Sequence, residues 1–278
     1  MPKFVLLWTD VAVWLLVVAM IVYGWSVSRK PNLAANWSKV FRNGPALASS
    51  LVLVACLLLT LADSVHYRAV LPPAAGSPAG SVAYDTRVQS LLDAAMRTVV
   101  QSRESTYSRP LGFVSFTKES TEVAGTIERV APRLKFGGAH LTDPASEWAG
   151  DVARRVATGA VLGAVAAVAL SLLLLLLVAR ARHEALGVTM GKVRRNETPV
   201  PWATACWTLL GIALPTGAVI ALMGHYHVFG TDITGNDVLY QTLKSIRTAF
   251  VIGTLATLAT LPLAVVLGIM AGYFKGWV

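Results

Sequence analysis

The sequence predicts an all-α polytopic membrane protein of about five transmembrane helices, with a small α+β external domain between the second and third. Three observations predict this. Of 278 residues, 55% are hydrophobic and only 14% charged, against about 25% charged in a soluble domain. Mean hydropathy is +0.59. Five stretches also approach the roughly 20 apolar residues that a spanning helix needs. This excludes an ordinary soluble enzyme and a disordered chain. The 24 Lys+Arg against 15 Asp+Glu give a net charge of +9. These charges fall between apolar runs, which places them in loops beside the bilayer rather than against nucleic acid.

The five stretches are Phe4 to Trp25, Pro45 to Ala62, Val156 to Ala179, Trp202 to Met223 and Ala249 to Ala271. Each is expected to be a helix, because in hydrocarbon only a helix satisfies its own backbone. The first begins almost at Met1 and has no small-residue cleavage site after it, so it does not read as a cleaved signal peptide. Its one charge, Asp10, lies near a helix end and is expected to reach the interface. Cys56 and Cys206 lie inside apolar runs, so no disulfide framework is expected. Gly159-x-x-x-Gly163 and Gly268-x-x-x-Gly272 are spacings that allow close helix approach, although glycine is also simply tolerated in such helices. Pro215 and Pro262 each remove one backbone donor from a helix and are expected to kink it.

Lys and Arg set the orientation. The loop from Ser26 to Gly44 holds Arg29, Lys30, Lys39 and Arg42 without an acid. The loop from Arg180 to Pro201 holds Arg180, Arg182, Lys192, Arg194 and Arg195 against Glu184 and Glu197. Both are assigned to the cytoplasm, with the N-terminus outside and the C-terminus inside. Arg154 and Arg155 run against that assignment and are outweighed by the two loops. The expected organisation is two helices with a basic loop over 1–62, an external domain over 63–155, two more helices over 156–223, and an external loop with a final helix over 224–278. Segment 63–155 carries 11 basic and 10 acidic residues. Within it, Leu71 to Ser81 reads as flexible. Asp85 to Gln101 reads as an amphipathic helix with Val88, Leu91, Leu92, Ala95 and Val99 on one face. Phe113 to Phe116 and Thr126 to Val130 are β-prone.

Sites for covalent chemistry are not legible. His225 and His227 flank Tyr226 near Asp232 and Asp237, but an H-x-H pair falls short of a metal site, and a wet interfacial loop is the nearer reading. His66, His140 and His183 are scattered. There is no GxxxxGK[ST] phosphate loop to hold ATP. No catalytic residue, cofactor or metal is expected.

The stretch from His227 to Val278 carries more. It contains Phe229, Gly230, Thr231, Asp232, Gly235, Asp237, Val238 and Leu239, then Ile252, Gly253, Gly268, Gly272, Tyr273, Phe274, Gly276 and Trp277. This order closely resembles the permease subunits of the dipeptide/oligopeptide/nickel class of bacterial ABC transporters. In that class an external FGTD-x-x-G-x-D-V segment precedes a helix that leaves through GYFGGWVD. Val228, Asn236 and Lys275 depart from the pattern, standing for Pro, Arg and Gly. A second stretch, Trp37 to Leu59, resembles the basic lead-in and first core helix of the same class. The two cover about a quarter of the chain. The first helix and the region between the two matches look like an N-terminal addition and an insertion.

The resemblance implies a transmembrane subunit of an importer that works with a second permease subunit, two ATP-binding subunits and an external solute-binding protein, in the bacterial inner membrane. Phe229, Gly230, Thr231, Asp232, Gly235 and Asp237 would form a gate or docking loop. Gly272, Tyr273, Phe274, Gly276 and Trp277 would turn the chain at the inner interface. The family's EAA loop, which docks on the ATPase, lies beyond Val278 in the pattern, so the chain is expected to be the N-terminal part of a permease or to act with a separate remainder. Glu184-Ala185-Leu186-Gly187 shares letters with that loop but lies upstream of its place. Locally, Asp232 and Asp237 are expected to cap turns. Val238, Leu239, Leu243 and Ile246 are expected to form a short amphipathic surface helix with Lys244 and Arg247 on its wet side. An alternative reading is a membrane-anchored sensor or assembly factor that acts through 63–155.

Overall fold

The computed structural model describes residues 2–71, 83–123 and 126–274. Except for Leu71, the stretch read as flexible lies outside them, as do Gly276 and Trp277. In chain order the elements are β1 (Lys3–Val5), α1 (Trp8–Arg29), α2 (Pro31–Phe41), α3 (Gly44–Asp63), β2 (His66–Arg68), β3 (Gln89–Ser90), α4 (Leu91–Ala95), α5 (Arg97–Gln101), β4 (Glu119–Val123), β5 (Thr126–Val130), α6 (Pro144–Ala181), α7 (Leu186–Arg194), α8 (Trp202–Leu222) and α9 (Val238–Phe274). Five of them, α1, α3, α6, α8 and α9, are long and apolar enough to cross a membrane. This is the all-α polytopic architecture the sequence predicts, with a few small strands.

The described residues fall into two compact units: those within Met1–Ile21, Cys56–Ala95 and Leu243–Val278, and those within Val22–Ala55 and Met96–Thr242. Segment 63–155 therefore contributes to both.

In the first unit β1, β2 and β3 form an antiparallel sheet with Phe4 opposite Tyr67 and Tyr67 opposite Gln89. The first helix therefore starts at Trp8, not at Phe4. Asp10 explains the start: its carboxylate accepts the Leu7 N–H at 3.0 Å, the returning half of a capping box. Asp10 is fully buried within the protein. Ser90 and Asp93 make the reciprocal version: Ser90 N–H donates to Asp93 at 2.9 Å and Asp93 N–H to the Ser90 hydroxyl at 3.1 Å. That box starts α4 at Leu91 and leaves 85–88 outside it. The single helix expected over 85–101 is thus two short ones, separated at Met96 (φ −101°, ψ 24°). Leu92, Met96 and Val99 are buried, while Leu91 is exposed.

In the second unit α6 and α8 cross antiparallel through glycine. A Cβ on Gly159 would strike the Gly217 carbonyl and approach Ala221 Cβ at 2.7 Å; one on Gly163 would strike the Ala213 carbonyl. The packing use of the first glycine pair is therefore realised. A Cβ on Gly268 or Gly272 would meet nothing within 4 Å. Of the β-prone pieces, 126–130 is β5 and pairs with β4, whereas 113–116 makes only isolated bridges, Val114 to Arg133 and Ser115 to Ser108. Glu184 lies just before α7 and pairs with Lys192 at 2.5 Å. Pro215 and Pro262 lie inside unbroken helices.

The short surface helix is also corrected. Val238 to Arg247 are the first turns of the 37-residue α9, with no break before the apolar run. No Gly or Pro occurs between Val238 and Ile252 to end the ladder. At about 1.5 Å per residue α9 is about 55 Å long, against a hydrocarbon core of about 30 Å. The helix is thus longer than the hydrocarbon core it would cross.

Candidate functional site

The residues from His225 to Asp237 connect α8 to α9. Gly230 (φ +77°) and Gly235 (φ +78°) make the two left-handed turns that fold this loop back on itself. A Cβ on Gly230 would strike the Ser108 carbonyl, and one on Gly235 the Glu104 carbonyl, so both positions admit only hydrogen. Between them, Asp232 Oδ1 accepts the N–H groups of Thr234 at 2.8 Å and Asn236 at 2.9 Å. Burial opposes its ionisation, but these donors and those of the Thr234 hydroxyl and Gln241 amide outweigh it and hold its pKa down at about 2. Asp237 Oδ1 accepts the N–H of Leu239 at 2.8 Å and of Tyr240 at 3.3 Å, capping the start of α9.

The loop is tied to residues 102–116. Thr231 bridges Ser108 and Asp237, and its hydroxyl donates to Thr106 O at 2.8 Å. Glu104 N–H donates to Gly235 O at 2.9 Å, and Arg103 Nε to Thr234 O at 2.9 Å. Thr231 and Asp237 are each only 4% exposed, whereas Phe229 is 49% and Ile233 66% exposed. The outward tip of the loop thus exposes Phe229 and Ile233 beside Thr234, while Asp237 faces inward.

His227 is the hub beneath the loop. Its Nδ1 lies 2.7 Å from Asp237 Oδ2 and its Nε2 3.3 Å from Glu104 Oε1. Glu104 also accepts three successive backbone N–H groups, from Lys135 at 2.9 Å, Phe136 at 2.8 Å and Gly137 at 3.2 Å. Burial penalises the Glu104 charge, yet these donors and His227 hold its pKa below the usual 4.5. For His227, burial disfavours the imidazolium, but Asp237 and Glu104 raise its pKa above 6.5. Tyr226 donates to Asp151 at 2.9 Å; burial, then that carboxylate, push its pKa up to about 12. His140 lies 2.8 Å from the same carboxylate. Tyr226 and His227 are each 2% exposed, which corrects the reading of a wet loop at these two positions, while His225 is exposed.

Glu104 is the residue that sequence reasoning missed: it has no motif and lies 123 positions from His227. The expected inner turn is not formed within the described residues. Gly272, Tyr273 and Phe274 are the last turn of α9, with Tyr273 80% exposed.

Comparison with known proteins gives one partial similarity. Over 64 residues the chain is 33% identical to "Oligopeptide transport system permease protein OppC" of Mycobacterium bovis and of two strains of Mycobacterium tuberculosis. The aligned stretch is 23% of this chain and 22% of each relative, so less than a quarter of the length of these curated relatives is matched. No family model matches the chain, and no solved structure matches it.

Proposed function

We propose that the chain is a transmembrane permease subunit, or the N-terminal part of one, of a bacterial ABC importer of the peptide-transporting type. The observation that carries this reading is the external loop. The residues that resemble the permease pattern, Gly230, Thr231, Asp232, Gly235 and Asp237, make the turns and caps that start α9. The five apolar helices and the partial identity to the oligopeptide permeases support it. The chain would sit in the inner membrane with its N-terminus outside, and the solute would pass between it and a second permease. Two ATP-binding subunits would supply the energy, and an external solute-binding protein would deliver the solute.

In this reading the 227–237 loop is the gate or docking element. The exposed Phe229 and Ile233 offer an apolar contact to the binding protein. Asp237 passes any displacement of the loop to α9, because its carboxylate holds the first N–H groups of that helix. No residue of this chain carries out covalent chemistry. The test is capture of the tagged chain from its native membrane in mild detergent. Recovery of ATP-binding subunits and a second permease in fixed ratio supports the reading; recovery of the chain without any ATP-binding protein contradicts it.

A further inference from the structure

His227 lies in an arrangement that the transport reading does not require. Each ring nitrogen faces a different carboxylate, and those carboxylates belong to different segments: Asp237 caps α9, and Glu104 sits in the 102–116 segment. The three side chains are each 3% exposed. A neutral imidazole has one donor and one acceptor, whereas the imidazolium has two donors. Only the imidazolium can therefore donate to both carboxylates at once. Loss of one proton turns one of the two contacts into a lone pair facing a carboxylate oxygen.

We infer that Glu104, His227 and Asp237 form a proton-operated latch that tightens the 227–237 loop on the 102–116 segment when His227 is doubly protonated and loosens it when one proton is lost. The Nε2 contact to Glu104, at 3.3 Å, is the longer, and the Nδ1 contact to Asp237, at 2.7 Å, is the shorter. The proton lost is therefore the one on Nε2, and the broken bond is the one to Glu104. The cap on α9 and the Glu104 N–H bond to Gly235 O survive, while the loop loses its side-chain tie to the Glu104 carboxylate. A cavity of about 220 Å³, lined by Ser102, Phe136, His140, His225, Tyr226 and His227, lies beside this cluster.

The other charged groups on the packed elements are already engaged: on 102–116, Arg103 donates to Thr234 O and Arg109 lies over the Phe116 ring. On 133–140, Arg133 donates to Gly138 O and Leu141 O, and His140 meets Asp151. Lys135 meets Glu104 through its backbone N–H, and its ammonium lies over the Phe136 ring. On α6, Asp151 holds Arg154 at 2.7 Å and Arg155 at 2.6 Å. Tyr226 donates to Asp151, and Asp232 is occupied by Thr234, Asn236 and Gln241. His225 packs edge-on against His140. The two carboxylates raise the proton affinity of His227 above the ordinary histidine value of 6.5, so release falls on the alkaline side of it.

The three residues lie within one compact unit, and the latch can be tested without transport. In the full chain with Cys56→Ala and Cys206→Ala, a probe cysteine is placed at the buried Thr231 and, in a parallel chain, at the exposed Thr234. A membrane-impermeant maleimide is then applied from about pH 5.5 to about pH 9, spanning the histidine range. The Thr234 rate corrects for reagent and bulk pH effects, and the His227→Gln profile corrects for ionisation of the buried thiol. The expected result is a severalfold rise in the Thr231-to-Thr234 rate ratio with pH. Glu104→Gln should move the midpoint to lower pH, because one of the two charges that favour the imidazolium is gone. His227→Gln should flatten the profile. A flat ratio in the parent, an unmoved midpoint in Glu104→Gln, or an unchanged profile in His227→Gln overturns the latch. Where His227→Gln fails to fold, the parent and Glu104→Gln decide.

Discussion

Arg247 donates to the carboxylate of Asp10, 237 positions earlier in the chain. Asp10 is fully buried and also lies 2.9 Å from His66 Nδ1. Arg247 reaches toward Asp63 at 3.8 Å, and Lys244, one turn earlier on α9, lies 2.8 Å from Asp93 and 3.7 Å from Asp63. The side chains expected on the wet side of an amphipathic helix are thus only 15% (Arg247) and 33% (Lys244) exposed, because three carboxylates from α1, α3 and α4 gather around them.

Removing one partner of a buried ion pair leaves the other charge uncompensated, at a cost of about 3–5 kcal/mol. Asp10→Ala and Arg247→Ala should each lower the unfolding midpoint of the detergent-solubilised chain strongly. The double substitution Asp10→Leu/Arg247→Met should be less destabilising than the sum of the singles. Additive effects in a double-mutant cycle would show that the pair is not coupled.

Glycine positions give a paired prediction. Gly217→Ala should disrupt the α6–α8 crossing, since its Cβ would strike the Gly159 carbonyl and meet Gly163 N at 2.9 Å. Gly268→Ala should leave stability within about 0.5 kcal/mol, as for other surface changes, because nothing lies within 4 Å. Equal effects in thermal unfolding would contradict the packing described.

The pH dependence of stability follows from Glu104 and His227. The Glu104 pKa is lowered from 4.5, so its contribution is present above that value and is lost as pH falls through the folded pKa. The His227 pKa is raised from 6.5, so its contribution is complete below that value and is lost as pH rises through the folded pKa. Stability from this site should be greatest between about 4.5 and 6.5 and should decline on both sides. In His227→Gln the alkaline decline should shrink. An alkaline limb of unchanged depth in that variant would rule out His227 as its source.

The proposed orientation has its own check. Reporters fused after Gly44 or after Lys192 should be active only as cytoplasmic reporters. Reporters within 85–145 should be active only as external ones. The reverse pattern would falsify the N-out arrangement.

What was legible in the sequence follows from which signals are local. The apolar runs give α3 and α8 to within a residue or two, because hydrocarbon burial leaves helix as the only option. The capping roles of Asp232 and Asp237 were readable because a cap acts within four residues. The α6–α8 crossing was half readable: Gly159 and Gly163 announce a close approach but not its partner, Gly217. Asp10, Arg247 and Glu104 were not readable, because their partners lie 237 and 123 positions away and no spacing rule links them. Segment 85–101 departs from the single helix its apolar stripe predicts because the Ser90–Asp93 capping box, which the stripe does not register, starts α4 at Leu91.

Asp237→Ala separates a gate from an anchor. Loss of this cap costs about 1 kcal/mol, loss of the buried pair with His227 adds to that, and membrane insertion should be unchanged because the apolar run of α9 is intact. Normal recovery of the complex with reduced uptake marks a gate. Lost recovery marks an anchor, and wild-type behaviour in both excludes either role.

The most direct test of the proposed function is solute uptake. The complex captured through this chain is reconstituted in proteoliposomes with the ATP-binding subunits outward and the solute-binding protein enclosed. Flow of labelled peptides, nickel and opines out of the lumen is then followed, because that is the import direction in this geometry. The account predicts ATP-dependent flow of at least one of these solutes, abolished by a non-hydrolysable ATP analogue and absent from complexes lacking this chain. Flow at the same rate without the chain, or none of these solutes moving on ATP addition, contradicts it.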